Sequence, residues 1–229
     1  MLLLAVDTSG KNGSLALARV SSGRSEVDIL ETVQLAGGTF SAQLVPQIAA
    51  LLEKRGHSKR DLGAFAVVSG PGSFTGLRVG LAAIKGLTEA LEKPIVAISL
   101  LEAVACASRS CDRVLAVLDA GRGDVYAGDY ELAPQVSMLS ERLLSREELI
   151  AEAKSKSKHE NELVVTPDGA LAEILQAAAV CAELIEYPSS AVIARLGWEH
   201  LQRGLTVRPE DLEANYLRHS DAEIFAKPR

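Results

Sequence analysis

The stretch from Ala64 to Ile98 constrains the fold more than any other part of the chain. Ala64–Val68 is a short unbroken apolar run, Gly70-Pro71-Gly72-Ser73 supplies turn residues, and an apolar-rich helical pattern covers about Thr75 to Leu91. Pro94 ends that helix, and Ile95–Ile98 is apolar again. Apolar runs this short and continuous belong to strands buried on both faces, and strand, glycine turn, helix and second strand make a right-handed crossover. The expected core is therefore a parallel or mixed sheet covered by helices.

The flanking sequence adds elements on both sides. Leu2–Val6 and Ser14–Val20 read as a hairpin that opens the sheet. From Ser41 to Lys54, Leu44, Val45, Ile48, Leu51 and Leu52 recur at helical spacing, with Pro46 as a kink or effective start and Gly56 as C-cap. A helix from Leu100 to about Ser108 closes a first lobe at residues 1–108. A smaller lobe at 109–205 is expected from strands at Val114–Leu118 and Val125–Tyr130, a charged helix near Arg146–Lys154, and a strand at Leu163–Val165. A helix at Ala170–Ala178, a strand at Glu183–Glu186 and a helix capped by Ser189 or Ser190 complete it. Residues 206–229 are expected to pack back on the first lobe, and the run Lys154–His159 reads as a solvated turn.

Apolar residues make up 48% of the 229, which supplies cores for two modest lobes. With 24 Lys and Arg against 30 Asp and Glu the net charge is −6, no basic stripe is visible, and nucleic-acid binding by the chain alone is expected to be weak. Leu2–Val6 lacks a basic flank and meets Asp7 too early for a signal or a span, so a cytoplasmic protein with no membrane contact is expected. Cys106, Cys111 and Cys181 form no CxxC and read as reduced buried thiols. His57, His159, His200 and His219 are scattered and each reads as a single surface histidine, and no metal site is assigned.

Gly70, Gly72 and Gly76 invite a nucleotide reading, because a glycine turn feeding a helix offers free amides and a positive dipole end to an anion. The spacing fits neither common version: Thr75 stands where a dinucleotide fingerprint needs its third glycine, and there is no Gly-Lys-Ser/Thr. Tight turning and close packing is the favoured role. Asp7 and Asp119 each follow an apolar strand and precede small residues, which resembles the two phosphate loops of the actin, sugar-kinase and heat-shock ATPase superfamily. Asp7, Thr8, Ser9, Asp119 and Gly121 are thus candidates for a degenerate nucleotide loop. Thr8 and Ser9 replace the usual aspartate-x-glycine pattern, and Asp7 could equally hydrogen-bond its own turn.

The segment Gly70-Pro71-Gly72-Ser73-Phe74-Thr75-Gly76-Leu77-Arg78-Val79-Gly80 closely matches the GPGSFTGLRxG signature of the TsaB (YeaZ) family. Val6–Ser9, Leu44–Pro46, Val117–Ala120 and Tyr216–Arg218 occur in the family's order, so the resemblance spans essentially the whole chain. It implies an α/β fold of two actin-like, ribonuclease H-like ATPase-fold lobes, the second reduced. It also implies a scaffold and activator without catalytic residues or cofactor of its own. Such a subunit pairs with a TsaD-type catalytic subunit and a TsaE-type ATPase in threonylcarbamoyl transfer to an adenosine beside the anticodon of transfer RNA. RNA would be met only through that complex, and the chain alone could be a homodimer. TsaD-like proteins carry a metal-binding HxxxH after the same glycine turn and helix; Leu100 and Val104 stand there, and an aliphatic side chain ligates no metal. The family's pattern has His where Phe40 stands, Arg where Gly121 stands and Glu where Asp124 stands, so contacts through those side chains would differ. Arg122 sits one position beyond the missing arginine.

The helix from Thr75 is expected to be the partner-binding element. On a helical wheel Arg78, Lys85, Thr88, Glu89 and Glu92 fill only a narrow polar arc, which leaves more apolar surface than one sheet requires. Gly76 and Gly80 would let a second helix approach, with Leu77, Leu81 and Ile84 beside them and Leu44, Ile48 and Leu51 of the preceding helix as neighbours. Two rival readings are a phosphotransferase or ATPase using Asp7 and Asp119, and a free-standing homodimeric binding protein. A protease is disfavoured, since there is no HExxH, nucleophile elbow or visible triad.

Overall fold

The computed structural model describes residues 1–21, 26–108, 111–156 and 162–218. Along the chain lie β1 (Leu2–Asp7), β2 (Gly13–Val20), β3 (Val27–Leu35), α1 (Phe40–Lys54), β4 (Leu62–Gly70), α2 (Phe74–Leu91), β5 (Ile95–Ser99) and α3 (Leu100–Ala105). They are followed by β6 (Arg113–Gly121), β7 (Asp124–Glu131), β8 (Ser137–Ser145), α4 (Arg146–Lys156), β9 (Glu162–Thr166), α5 (Gly169–Ala177), β10 (Ala182–Leu184) and α6 (Ser190–Gln202). The chain forms two units, one from Met1–Ala103 with Tyr187–Ala214 and one from Val104–Glu186 with the segment that begins at Asn215.

In the first unit the sheet order is β3-β2-β1-β4-β5. β1 pairs antiparallel with β2 and parallel with β4. Every residue of β1 is buried, because α2 packs on one face and α6 on β1, β2, β4 and β5. A strand covered on both faces carries apolar side chains at odd and even positions alike, which is why Leu2–Val6 shows no alternation. α1 packs on α2 and contains Pro46 on its exposed side without ending there. Its C-terminus is closed at Gly56, with φ of 72°, by His57 N–H donating to Leu52 O and Gly56 N–H donating to Glu53 O.

The second unit repeats this plan with the order β10-β9-β6-β7-β8, so that β6, β7 and β8 are antiparallel and β9 and β10 run parallel to β6. The fold class is the expected one: two actin-like, ribonuclease H-like units, each with three antiparallel strands followed by two parallel ones. The second is the smaller in its elements, since α5 has 9 residues where α2 has 18 and β10 has three. Leu115, Val117, Val125 and Ala127 of its sheet pack with Leu149, Ala153, Leu171 and Leu175. The β6–β7 turn uses Arg122 and Gly123, both at positive φ (60° and 89°), the requirement of a two-residue hairpin matched to strand twist. Arg218 closes over that turn by donating to Gly121 O at 3.1 Å and to Asp124 Oδ2 at 2.5 Å, and Asn215 donates to Glu141.

Two strands, β3 and β8, were not expected from the sequence, and the lobe boundaries differ from 1–108, 109–205 and 206–229. α6, expected in the second lobe, lies on the first sheet, where Ile193, Ala194, Gly197 and Trp198 bury the face that α1 and α2 leave uncovered. Val207 continues the return by donating its amide to Ile95 O on β5. Only residues 206–214 of the terminal segment stay with the first unit; Asn215–Arg218 sits on the second sheet. Part of the Lys154–His159 run, together with His219, lies outside the described residues. Among the described residues no helix is long and apolar enough to cross a membrane.

The seating of α6 depends on one glycine. A Cβ added at Gly197 would stand 2.5 Å from the Cβ of Ala66 on β4. Gly197→Val is expected to lower stability by about 1–3 kcal/mol through overpacking. Urea unfolding followed by the fluorescence of Trp198, the only tryptophan and 5% exposed, measures it directly.

Candidate functional site

β1 ends on Asp7, and the turn that follows is built around that carboxylate. Ser9 donates to Asp7 Oδ1 twice, from its backbone N–H at 2.8 Å and from its hydroxyl at 2.5 Å. This is an Asx turn, the second of the two roles open to Asp7 from sequence. Asp7, Thr8 and Ser9 are all buried. Burial pushes the Asp7 carboxyl above the ordinary aspartate range, against the lowering effect of the Ser9 bonds.

The turn is clamped by the glycine segment. Ser73 N–H donates to Ser9 O at 2.7 Å, Thr8 Oγ1 donates to Gly76 O at 2.8 Å, and Ser73 Oγ accepts from Gly76 N–H as the cap of α2. A Cβ at Gly72 would stand 2.6 Å from Ser9 O, at Gly76 2.0 Å from Thr8 O, and at Gly80 2.3 Å from Thr8 Oγ1. The glycine ridge of α2 is thus filled by the chain's own Thr8–Ser9 turn. This corrects the expected partner interface: Gly76, Leu77, Gly80, Leu81 and Ile84 are buried within the chain, as are Leu44, Ile48 and Leu51. One sheet face is not the only internal neighbour of α2, which also meets α1 and the β1–β2 turn, and these take up the apolar surface that exceeded the needs of the sheet. Val45 and Phe74 are the large apolar side chains that α1 and α2 leave exposed, at 54% and 40%, with Arg78 lying over the Phe74 ring at 3.6 Å. Phe40 is core, its ring against Gly13 and Gly76.

A cavity of about 390 Å³ opens beside the same turn, lined by Asp7, Lys11, Asn12, Ser14, Tyr187 and Ser189 among others. Tyr187 is 44% exposed overall, but its hydroxyl end faces inward, 3.4 Å from Ser9 Oγ. Desolvation of that hydroxyl, with the Asp7 charge as a second cause, pushes the phenol well above the usual tyrosine range. α6 is tied to β2 where it begins: Ser190 N–H donates to Ser14 Oγ at 2.9 Å and Ser190 Oγ donates to Ser14 O at 2.6 Å. Tyr187 was not singled out from sequence, and Ser190 only as an alternative to Ser189 for the cap of α6, a place that Ser189 takes; both are far from Asp7 along the chain.

In the second unit Asp119 occupies the equivalent end of β6, yet its carboxylate pairs with Arg146 Nη2 at 3.2 Å and is partly exposed. Gly121 has φ of 73° and gives its carbonyl to Arg218. Leu100 and Val104 are both buried. His200, expected at the surface, is half-buried, with its Nε2 2.8 Å from Glu102 Oε1. Cys181 is exposed rather than buried, and Cys106 and Cys111 are half-buried. Among the described residues no three His, Cys, Asp or Glu side chains group in a metal-binding arrangement.

Two measurements test this site. Gly76→Ala is expected to cost about 1–3 kcal/mol by forcing Thr8 away, whereas Gly86→Ala in the same helix, where nothing lies within 4 Å, should gain about 0.5–1 kcal/mol; denaturant unfolding of both decides. The folded state holds the Asp7 proton more tightly than the unfolded chain, whose aspartate titrates near 3.9. The stability Asp7 contributes is therefore greatest below that value and is lost as pH rises through the folded value. Asp7→Asn, which keeps an acceptor for Ser9, should melt above the parent at neutral pH, with the gap closing toward about pH 4. A gap that widens on acidification would reverse the assignment.

Comparison with known proteins follows the same segments. The family model TsaD, tRNA N6-adenosine threonylcarbamoyltransferase, matches residues 34–225. The tRNA threonylcarbamoyladenosine biosynthesis protein TsaB of Bacillus subtilis (strain 168) is 35% identical over 132 residues, 57% of this chain and 56% of that protein. TsaB of Escherichia coli (strain K12) is 31% identical over 134 residues, 57% of this chain and 55% of that protein. The matched stretch thus spans just over half the length of these curated relatives. The structure of YeaZ from Pseudomonas aeruginosa superposes with a TM-score of 0.76 at 26% identity, covering 94% of this chain and 99% of that one. With the TsaD family model matching residues 34–225, TsaB proteins at 31–35% identity and the YeaZ fold shared along nearly the whole length, this chain belongs to the TsaB (YeaZ) family.

Proposed function

We propose that this chain is a non-catalytic subunit in the biosynthesis of threonylcarbamoyladenosine in transfer RNA, acting as scaffold and activator of a TsaD-type transferase. The observation that carries this reading is the use made of the glycine turn. At the N-terminus of α2, where an active relative of this fold would offer amides to a phosphate, Ser73 N–H is bonded to Ser9 O and Gly76 N–H to Ser73 Oγ. Asp7 is turned onto Ser9, and Asp119 is paired with Arg146. Leu100 and Val104 are packed as core where the transferase pattern has histidines. A phosphotransferase built on Asp7 and Asp119 would have to undo two of these contacts before it could bind a metal or a phosphate.

The partner surface is the outer side of α1 and α2, around Val45, Phe74 and Arg78, which replaces the buried ridge expected from sequence. A TsaD-type subunit is its occupant in the working complex, and a second copy of the chain its occupant when alone. A TsaE-type ATPase joins at another surface, transfer RNA is engaged through the complex, and the assembly is cytoplasmic.

The chain mixed with its cognate TsaD-type subunit is expected to support modification of transfer RNA, while the chain alone supports none. Turnover of ATP by the chain alone that disappears in Asp119→Asn would favour the phosphotransferase instead. Val45→Asp and Phe74→Glu should each weaken association about tenfold or more, the value of one buried apolar side chain, while circular dichroism and melting temperature stay at the parent's. Sedimentation of the mixed subunits gives the answer, and undiminished association by both variants would place the interface elsewhere.

A further inference from the structure

The chain is acidic, with a net charge of −6, yet Lys54-Arg55-Gly56-His57-Ser58-Lys59-Arg60 places four cations and a histidine in seven successive residues. All four cations are exposed. They stand on a stiff elbow between α1 and β4. Arg55 and His57 close α1 by donating their amides to Leu51 O and Leu52 O, and Gly56 supplies the positive φ. Ser58 then caps the single turn Lys59–Asp61: its N–H donates to Asp61 Oδ2 at 2.7 Å, its hydroxyl donates to the same oxygen at 2.9 Å, and the hydroxyl accepts from Arg60 N–H at 3.3 Å. Leu52 before the elbow and Leu62 after it are buried and hold its two ends in the core.

The fold matches one of the four cations. Lys54 pairs with Glu31 of β3. Asp61 is taken up by Ser58, and among the described residues no carboxylate pairs with Arg55, Lys59 or Arg60. The negative end of the α1 dipole accounts for Lys54 and Arg55, but Lys59 and Arg60 lie beyond it. No residue from Glu53 to Asp61 carries an apolar side chain. A protein partner needs an apolar or aromatic anchor near the centre of its contact, and none is offered here, whereas a phosphate backbone needs only cations held in place. Val45, in the partner surface assigned above, precedes Arg55 on the same helix by about 15 Å along its axis. The elbow thus lies outside that surface and near to what a partner seated there would hold.

We propose that the Lys54–Arg60 elbow is a contact for the phosphate backbone of RNA, with Arg55, Lys59 and Arg60 each taking one phosphate of the transfer RNA held by the complex, an inference that rests on the function proposed above. Contacts of this kind position a nucleic acid without reading its sequence. Three of them release too few counterions for tight binding by an acidic chain alone, so the elbow adds to the grip of the transferase and does not replace it.

The test uses the full chain mixed with its cognate TsaD-type subunit, and follows transfer RNA binding by fluorescence anisotropy from about 50 to about 300 mM salt. The triple variant Arg55→Gln, Lys59→Gln, Arg60→Gln should make the slope of log K against log salt shallower by about 2 to 3, and weaken binding about tenfold or more at about 100 mM salt. Each single variant should remove slightly less than one unit of slope. Arg195→Gln, which changes the net charge equally at an exposed site on α6, should leave the slope at the parent's. All four side chains are exposed, so melting temperatures should stay at the parent's, and modification at saturating transfer RNA should keep its kcat while KM for the RNA rises in the triple variant. The proposal is overturned if the triple variant keeps the parental slope, or if Arg195→Gln lowers it as much as a single elbow variant does. It is also overturned if phosphatidylglycerol vesicles bind the mixture more tightly than transfer RNA does and lose that binding in the triple variant. A mixture that modifies no RNA but loses slope in the triple variant would sink the proposed function and leave the elbow standing; modification with an unchanged slope would do the reverse.

Discussion

The contact on which the first unit depends is backbone against backbone: the Thr8–Ser9 turn pressed onto Gly72, Gly76 and Gly80. At each glycine an added Cβ would stand within 2.6 Å of an atom of Thr8 or Ser9, closer than van der Waals contact allows. The approach lets Ser9 O reach the Ser73 amide and Thr8 Oγ1 reach Gly76 O, bonds that a larger residue at any of the three positions would lengthen or break. Because the turn continues β1, the central strand, this contact fixes α2 on the sheet, and α1 follows. Phe40 begins α1 with its ring against Gly13 and Gly76, so the glycines that seat the turn also seat the next helix.

The same close approach decides what the turn can do. Amides at a helix start attract an anion only while they are free, and here the first is already bonded to Ser9 and another to Ser73. The two units share a topology and put an aspartate at the end of the same strand, yet use it differently. Asp7 is buried, bonded to its own turn, and held toward its neutral form; Asp119 is partly exposed and paired with an arginine. The difference follows from what packs above each strand end: a glycine-rich helix start that admits the backbone over Asp7, and the first residue of α4, with its long cationic side chain, over Asp119.

Much of the fold is legible in the sequence where burial is uniform. β1, β4, α2, β5 and β6 are continuous apolar runs or strongly periodic, and the glycine turn announces the crossover. The two strands that escaped notice, β3 and β8, are the outer antiparallel edges of their sheets. Val27–Leu35 and Ser137–Ser145 carry Asp28, Glu31, Glu141 and Arg142 among their apolar residues, as solvent-facing edges do, and that mixture masks a period of two. α6 was legible as a helix but not as a member of the first unit, since periodicity reports that a face is buried and not against which sheet. At the site, Asp7, Thr8 and Ser9 were legible from strand end and turn chemistry. The contacts of Tyr187 with Ser9 and of Ser190 with Ser14 were not, because they arise only when a segment nearly 180 residues downstream returns to β1 and β2. The glycine ridge was legible as a place of close approach, and its occupant was not.

That return has a consequence for how the molecule holds together. The face of the first sheet opposite α1 and α2 is covered by α6, which follows every strand and helix of the second unit along the chain. Leu3, Ala5, Ala16 and Ala66 are fully buried, and without α6 the side of the sheet it covers would be an exposed apolar patch of the kind that drives association. Docking α6 closes the long excursion Val104–Glu186, but the entropy of closure grows only with the logarithm of length, so the added cost over a short loop is small beside the area buried. The Ser14–Ser190 pair then matters for register more than for strength. Two reciprocal hydrogen bonds between buried hydroxyls and backbone are satisfied at one seating of α6 on β2, and a helix shifted along the sheet would leave Ser14 Oγ and Ser190 Oγ buried without partners. Gly197 over Ala66 sets the depth of that seating and Ser190 its position along the strand. The cavity wall contributed by Tyr187–Ser189 is thereby held by the rigid helix that follows it, which is why a strap leading into α6 can present a phenol to Ser9 at a fixed distance from Asp7.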